Sequence, residues 1–304
     1  MRVLVVGLGS IAIKHIDAIS KIDSESELYA LRSGTTNTDF EDVPITNLFS
    51  WDEVPDNLDF ILITNPTSEH YETILKACKL DVPLFIEKPP CMTDQQMEDL
   101  LQRTELSNIQ TYIAFNLRFH PILNWIKGNI IGKRVIEVQA YCGSYLPEWR
   151  KGTDYRKQYS AEGALGGGVH LDLIHELDYV RWIFGNPLNT ISVKSKVSDL
   201  QINSADCAYY HLQYENKCVS LLLNYYRRDS KRTLEIVFDN DSWTANLLTG
   251  EVVNSKDECI FRTENKIADT YDAQMAYFIT CLKENIPLMN DLRESSETLK
   301  ICLS

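Results

Sequence analysis

The first 120 residues alternate strand-like with helix-like segments, and that alternation narrows the fold more than any other feature of the chain. Val3 to Val6 is a β-branched-rich run, Leu28 to Leu31 a second, and DFILIT from Asp59 to Thr64 a third. Two more follow at Val82 to Ile86 and Ile109 to Phe115. Between them Ile11 to Ser20 has helical spacing, and helix starts are read at Ser50 with Glu53, at Thr67 before SEHYETILKAC, and at Thr93 with Gln96 before MEDLLQ. Parallel neighbours need a crossover, so this order predicts a doubly wound parallel sheet with helices on both faces, an α/β fold.

Beyond about residue 132 the texture changes. RVIEVQAYCGSY, TISVKSKV, CAYYHLQY, KCVSLLLNYY and TLEIVF are strand-like runs in succession, joined by short turns such as Glu215-Asn216. Only LDLIHELDYVRWIF and the stretch from about Asp269 read as helical. That pattern predicts an α+β domain on a largely antiparallel sheet. The expected division is a dinucleotide-binding domain over residues 1–120 and a substrate-binding and oligomerisation domain over 121–304.

Composition bounds the partners. With 44% apolar residues the chain can bury a core, and its net charge of −13 repels nucleic-acid phosphates and anionic membrane surfaces. A small-molecule partner suits that field. There is no apolar run of about 18 residues, the length of a spanning helix, and MRVLVVGLGS enters its strand without a targeting segment, so a cytoplasmic protein is expected. The eight cysteines include no C-x-x-C, which points to reduced thiols. Arg227, Arg228, Lys231 and Arg232 form the one dense basic cluster, read as a solvated hairpin turn or an anion contact.

VVGLGSIA sets Gly7, Gly9 and Ala12 in a G-x-G-x-x-A pattern between strand and helix. Gly7 permits the tight turn, Gly9 lets backbone approach a pyrophosphate, Ala12 packs helix on strand, and the helix start supplies N–H donors. In this place the pattern reads as a dinucleotide-binding (Rossmann) turn. A carboxylate about 20 residues on would hold the ribose hydroxyls, but the second strand ends in Leu31-Arg32-Ser33-Gly34. Arg32 and Ser33 suit a 2′-phosphate, so NADP is expected ahead of NAD, with Asp39 a later carboxylate that loop folding would have to return.

FIEKPPCMT sends the chain out of a buried strand through Glu87 and Lys88 into two prolines, which stiffen the exit. A cis bond is expected at Lys88-Pro89 or Pro89-Pro90. Further on, at about 100° per residue, Leu173, Ile174, Leu177 and Val180 share one helix face and Asp172, His175, Glu176 and Tyr179 the opposite one. A polar stripe of this kind is either solvated or a site. His170 projects about 140° away from His175 on a regular helix, so no metal site is expected there. Asn116 and Arg118 in FNLRFHP are candidates to approach nicotinamide or substrate, with a polar helix-capping loop as the alternative. Trp149, Arg150, Tyr155 and Tyr159 suit a sugar ring with a phosphate or carboxylate, or an ordinary surface loop.

GLGSIA, NPTSEH, EKPP, FNLRFHP and GGGVHLDLIHELDYVRWIFG together resemble the glucose-fructose oxidoreductase, inositol dehydrogenase and rhizopine-catabolism (Gfo/Idh/MocA) family over nearly the whole chain. NLRFHP with GSYLPEWRKGTDYRKQYSA is further similar to a subgroup found with bacterial surface-sugar biosynthesis. The resemblance implies that Lys88 and His175 flank the carbon exchanging a hydride with the nicotinamide, with Asp172 beside them as the third catalytic candidate. Many members place this aspartate four residues before the histidine; here the interval is three.

The expected cofactor set is Gly7, Gly9, Ser10, Ile11, Arg32, Ser33, Thr64, Asn65, Pro66, His70, Glu87, Lys88 and Asn116. The expected substrate set is Lys88, Arg118, Trp149, Tyr155, Asp172 and His175. The activity implied is hydride transfer to or from a sugar-like carbinol or carbonyl in a homodimer or homotetramer. A catalytically silent dinucleotide sensor and an enzyme of a non-sugar carbonyl, such as a dihydrodiol or tetrapyrrole, are the alternatives.

Overall fold

A computed structural model of the chain describes residues 1–34, 44–150 and 152–304. They fall into two compact units, Met1–Phe115 with Tyr271–Ser296, and Asn116–Thr270 with Glu297–Ser304. The first unit therefore gathers a C-terminal segment that the sequence reading had left wholly in the second domain.

In the first unit β1 (Arg2–Val6), β2 (Glu27–Leu31), β3 (Ile45–Leu48), β4 (Phe60–Ile63), β5 (Leu84–Ile86) and β6 (Thr111–Ile113) form one sheet in the order β3-β2-β1-β4-β5-β6. Every pairing is parallel. Helices α1 (Ser10–Ile22), α2 (Thr67–Ala77) and α3 (Asp94–Ser107) make crossovers. Both β1 and β4 are continuous buried runs, as strands covered on both faces must be. The edge strand β3 was missed because ITNL is half exposed and carries no such run. Thr93 caps α3 by accepting the Gln96 N–H at 3.2 Å, as read. Ser50 caps only one short turn, Trp51–Glu53, because Pro55 forbids its continuation.

The second unit carries β7 (Val135–Gly143), β8 (Asn189–Ser195), β9 (Cys207–Gln213), β10 (Cys218–Asn224), β11 (Lys231–Phe238), β12 (Ser242–Asn246), β13 (Glu251–Asn254) and β14 (Cys259–Arg262). They form a sheet in the order β14-β13-β12-β11-β7-β10-β9-β8. All pairings are antiparallel except β7 with β10. One face buries Val138, Ala140, Leu221, Leu223, Tyr210, Leu212, Leu234 and Ile236. The opposite face leaves Ile191 at 56%, Val193 at 58% and Tyr209 at 43% exposure. Short helices α4 (Pro121–Asn129), α5 (Val169–Asp172) and α6 (His175–Phe184) belong to this unit, while α7 (Asp269–Glu284) and α8 (Leu292–Leu303) run through the points where the units divide.

Candidate functional site

In the first sheet the chain turns from β1 towards β2 and β3, then restarts at β4 on the other side of β1. Ligands of such sheets lie at the carboxyl ends flanking that reversal. The exits of β1 and β4 meet there. Gly7 has φ +87°, and a Cβ on it would lie 2.5 Å from the backbone N and Cα of Asn65, so only glycine fits. Thr64 donates its hydroxyl to the Gly7 carbonyl at 2.6 Å, joining the same two turns.

Gly9 is open: a Cβ there would meet nothing within 4 Å. It stands at the start of α1, where no side chain caps the helix and no acidic residue occupies the first turn. The N–H groups at Ser10 and Ile11 therefore suit an anionic pyrophosphate. Ala12 is buried, as close helix packing requires. Arg32 follows β2 and donates to Asn47 of β3 at 3.1 Å, Ser33 is exposed, and Asp39 lies outside the described residues. These residues fit a dinucleotide.

Pro66 is exposed beside Asn65, whose amide donates to Thr73 at 2.8 Å. His70, expected at the cofactor, is buried with both ring nitrogens close to main-chain carbonyls. Its Nδ1 lies 2.8 Å from the Pro89 carbonyl and its Nε2 2.8 Å from the Asn65 carbonyl. Burial pulls its pKa below the ordinary histidine value, against the two carbonyls and Glu87, which act the other way.

The bond between Lys88 and Pro89 is cis. Glu87 is likewise buried and turned to the protein: Oε1 lies 2.6 Å from His15 Nε2, and Oε2 accepts the Lys88 backbone N–H at 3.2 Å. Burial pushes the Glu87 carboxyl up, but the His15 hydrogen bond and neighbouring positive charges outweigh it and hold it below the usual range. His15 has 0% exposure and sits edge-on to Phe85 and Tyr271, with ring centres at 4.9 and 5.6 Å. Sequence reading missed it, although it shares the buried face of α1 with Ala12, Ile16 and Ile19.

In the second unit Arg118, expected at the substrate, is held by an internal carboxylate. Its Nε and Nη2 grip Asp178 at 2.8 and 2.6 Å, with both side chains almost fully buried. Asn116 is buried and donates to Thr270 at 2.7 Å, which likewise turns it inward. The helix read from Asp172 through Tyr179 is broken at Leu173, so Asp172 ends α5 and His175 begins α6. Nor is its polar stripe solvated: Asp172, Glu176 and Tyr179 are buried. Glu176 pairs with Arg232 at 2.6 Å, which takes that arginine out of the solvated turn expected for it. His175 is half-buried at the head of α6.

Asp172 accepts the Tyr225 hydroxyl and faces the Tyr159 hydroxyl as well. The negative charge of Asp172 and burial together hold Tyr159 well above the ordinary tyrosine value. Trp149 donates to Ser144 at 2.8 Å and meets the Tyr225 ring edge-on at 5.2 Å. Tyr155 lies apart, its hydroxyl accepting the Gln201 N–H at 3.2 Å. A cavity of about 510 Å³ in this unit is lined by Arg156, Glu162, Lys196, Asp199, Gln201 and Asn203 among others, and by none of the expected site residues. Among the described residues no group of three or more His, Cys, Asp and Glu side chains is placed to hold a metal, and no helix is long and apolar enough to cross a membrane.

An open glycine turn at the reversal of a doubly wound parallel sheet, followed by a separate α+β unit, defines a dinucleotide-binding oxidoreductase architecture. The chain belongs to the Gfo/Idh/MocA oxidoreductase family: residues 1–115 match its NAD-binding Rossmann fold and residues 125–302 its C-terminal alpha/beta domain. It is 23% identical over 312 residues to myo-inositol 2-dehydrogenase of Thermotoga maritima, covering 94% of this chain and 90% of that one. It is 24% identical over 203 residues to inositol 2-dehydrogenase of Corynebacterium glutamicum, covering 64% of this chain and 57% of the relative. Several other curated relatives are matched over 46% to 65% of their own length. The solved structure of UDP-N-acetylglucosamine 3-dehydrogenase from Acidithiobacillus ferrooxidans is similar with TM-score 0.81 at 18% identity, over 100% of this chain and 95% of that one, a likeness of fold.

Proposed function

We propose that this protein transfers a hydride between a nicotinamide cofactor and a carbinol or carbonyl carbon of a sugar or sugar derivative, nucleotide-linked sugars included. The family match over both halves supports this reading, and one observation carries it: Lys88 leaves the carboxyl edge of β5 on a main chain braced by Glu87, His15 and His70. A catalytic ammonium needs such a rigid mount. The bound nicotinamide supplies or accepts the hydride.

Lys88 hydrogen-bonds the reacting oxygen and stabilises charge developing on it. His175 takes the hydroxyl proton in oxidation and returns it in reduction. Asp172, oriented by tyrosine hydroxyls, meets a sugar hydroxyl. NADP is the preferred cofactor in this reading, because Arg32, Ser33 and Gly34 follow β2 without a carboxylate. Residues 1–120 would act as the cofactor domain, 121–304 as the substrate domain, in a cytoplasmic homodimer or homotetramer joined through the second sheet.

The test follows nicotinamide absorbance with free and nucleotide-linked sugars and both cofactors. Lys88→Ala and His175→Ala should each lower kcat by about 10²–10⁴ while the Kd for NADPH stays within about twofold. Turnover that survives both substitutions rejects the mechanism.

A further inference from the structure

In a chain of net charge −13 a guanidinium readily finds a carboxylate, and Arg2, Arg103, Arg118, Arg156, Arg227 and Arg232 all do. Arg150 and Arg228 depart from that pattern. Arg228 lies with Cζ 4.1 Å from the centre of the Tyr145 ring and donates from Nη2 to its hydroxyl at 3.1 Å. Arg150 lies with Cζ 5.6 Å from the centre of the Tyr159 ring. Among the described residues neither has a carboxylate partner, and the nearest acid in sequence to Arg228, Asp229, is already held by Arg227 at 2.6 Å.

The two arginines end one chain of contacts. Tyr145, under Arg228, follows Ser144, whose hydroxyl accepts the Trp149 indole N–H at 2.8 Å. Trp149 meets Tyr225; Tyr225 donates to Asp172; Tyr159, under Arg150, faces the same carboxylate. The strand order explains why they gather. Because β7 and β10 are parallel, their carboxyl ends share one edge, and Ser144-Tyr145 and Tyr225 to Arg228 leave from it together. The exits are close-packed: a Cβ on Gly143 would lie 2.6 Å from the Asn224 amide.

We infer that Arg150 and Arg228 bind an anionic substituent, a phosphate or carboxylate, on the sugar whose hydroxyl Asp172 meets. A guanidinium carries five donors in a planar fork; Arg228 gives one to the Tyr145 hydroxyl, and the donors that remain match the oxygens of either anion. Trp149 and the tyrosines supply apolar surface for the sugar ring. The inference rests on the proposed function only in taking a sugar as the ligand.

The test is calorimetric titration of the protein saturated with NADPH or NADH, whichever binds more tightly, so that the dinucleotide site is closed to the titrant. α-D-Glucose 1-phosphate, UDP-N-acetylglucosamine and D-glucuronate are compared with uncharged D-glucose and myo-inositol; the first three separate a terminal phosphate, a diphosphate and a carboxylate. At least one anion should bind about tenfold more tightly than the uncharged sugars, the equivalent of one charge-assisted hydrogen bond. Arg150→Gln and Arg228→Gln, both at exposed positions, should each remove about that factor, whereas Lys256→Gln in the exposed turn after β13 should not. Equal binding of charged and uncharged sugars, no binding by any anion, or an anion preference that survives both glutamine variants overturns the inference. Should the preference hold while Lys88→Ala and His175→Ala keep full turnover, the catalytic reading fails and the anion cradle stands.

Discussion

Glu87 keeps its charge out of water, against an imidazole that lies 72 residues earlier in the chain. His15 Nδ1 is buried without a hydrogen-bond partner among the described residues, so the ring proton belongs on Nε2, facing the carboxylate. Replacing His15 with leucine leaves Glu87 buried without that donor and should cost about 1–3 kcal/mol. The pair His15→Leu with Glu87→Gln should lose less than the two single changes summed, measured by denaturant unfolding. The pH dependence follows from the depressed carboxyl. Its contribution is complete above the unfolded value of about 4.3 and is lost as pH falls through the lower folded value. The Tm difference between wild type and Glu87→Gln should therefore be full at pH 7 and shrink steadily below pH about 4.

At the scale of elements, the turn after β1 was legible because its signal is local: two glycines, an alanine and the flanking periodicities lie within a dozen residues. Its strictness was not legible, since Gly7 is pressed by Asn65 from another turn. Gly7→Ala adds about 1–3 kcal/mol of overpacking to a backbone cost of about 1–2 kcal/mol at positive φ. It should lower Tm and weaken NADPH or NADH binding at least tenfold by fluorescence titration. The ion pair of Arg118 was not legible for the same reason of distance: Asp178, which holds it, is 60 residues away, and a lone arginine after a strand carries no mark of an internal partner. The stripe from Asp172 to Tyr179 misled because helical periodicity assumes one unbroken helix, and this one breaks at Leu173.

For the whole molecule, the change from alternating segments to successive strands foretold two architectures, while their membership was hidden because residues 271–296 return to the first unit after the second sheet is complete. The second sheet covers one face only. Val193 of β8 stands opposite Tyr209 of β9, and with Ile191 they leave an apolar strip on the open side. If that strip joins subunits, Val193→Lys with Tyr209→Lys should shift the protein to a smaller species in light scattering after gel filtration while leaving the affinity for NADPH or NADH unchanged. An unchanged mass would reject the strip as a subunit interface.

His70 has a consequence of its own. A neutral imidazole owns one hydrogen, yet two carbonyl oxygens stand at bonding distance on either side of this ring, one from the turn after β4 and one from the turn after β5. One hydrogen therefore fastens one turn and leaves the other carbonyl facing a nitrogen lone pair, while a doubly protonated ring would fasten both, and nitrogen resonance frequencies distinguish these forms.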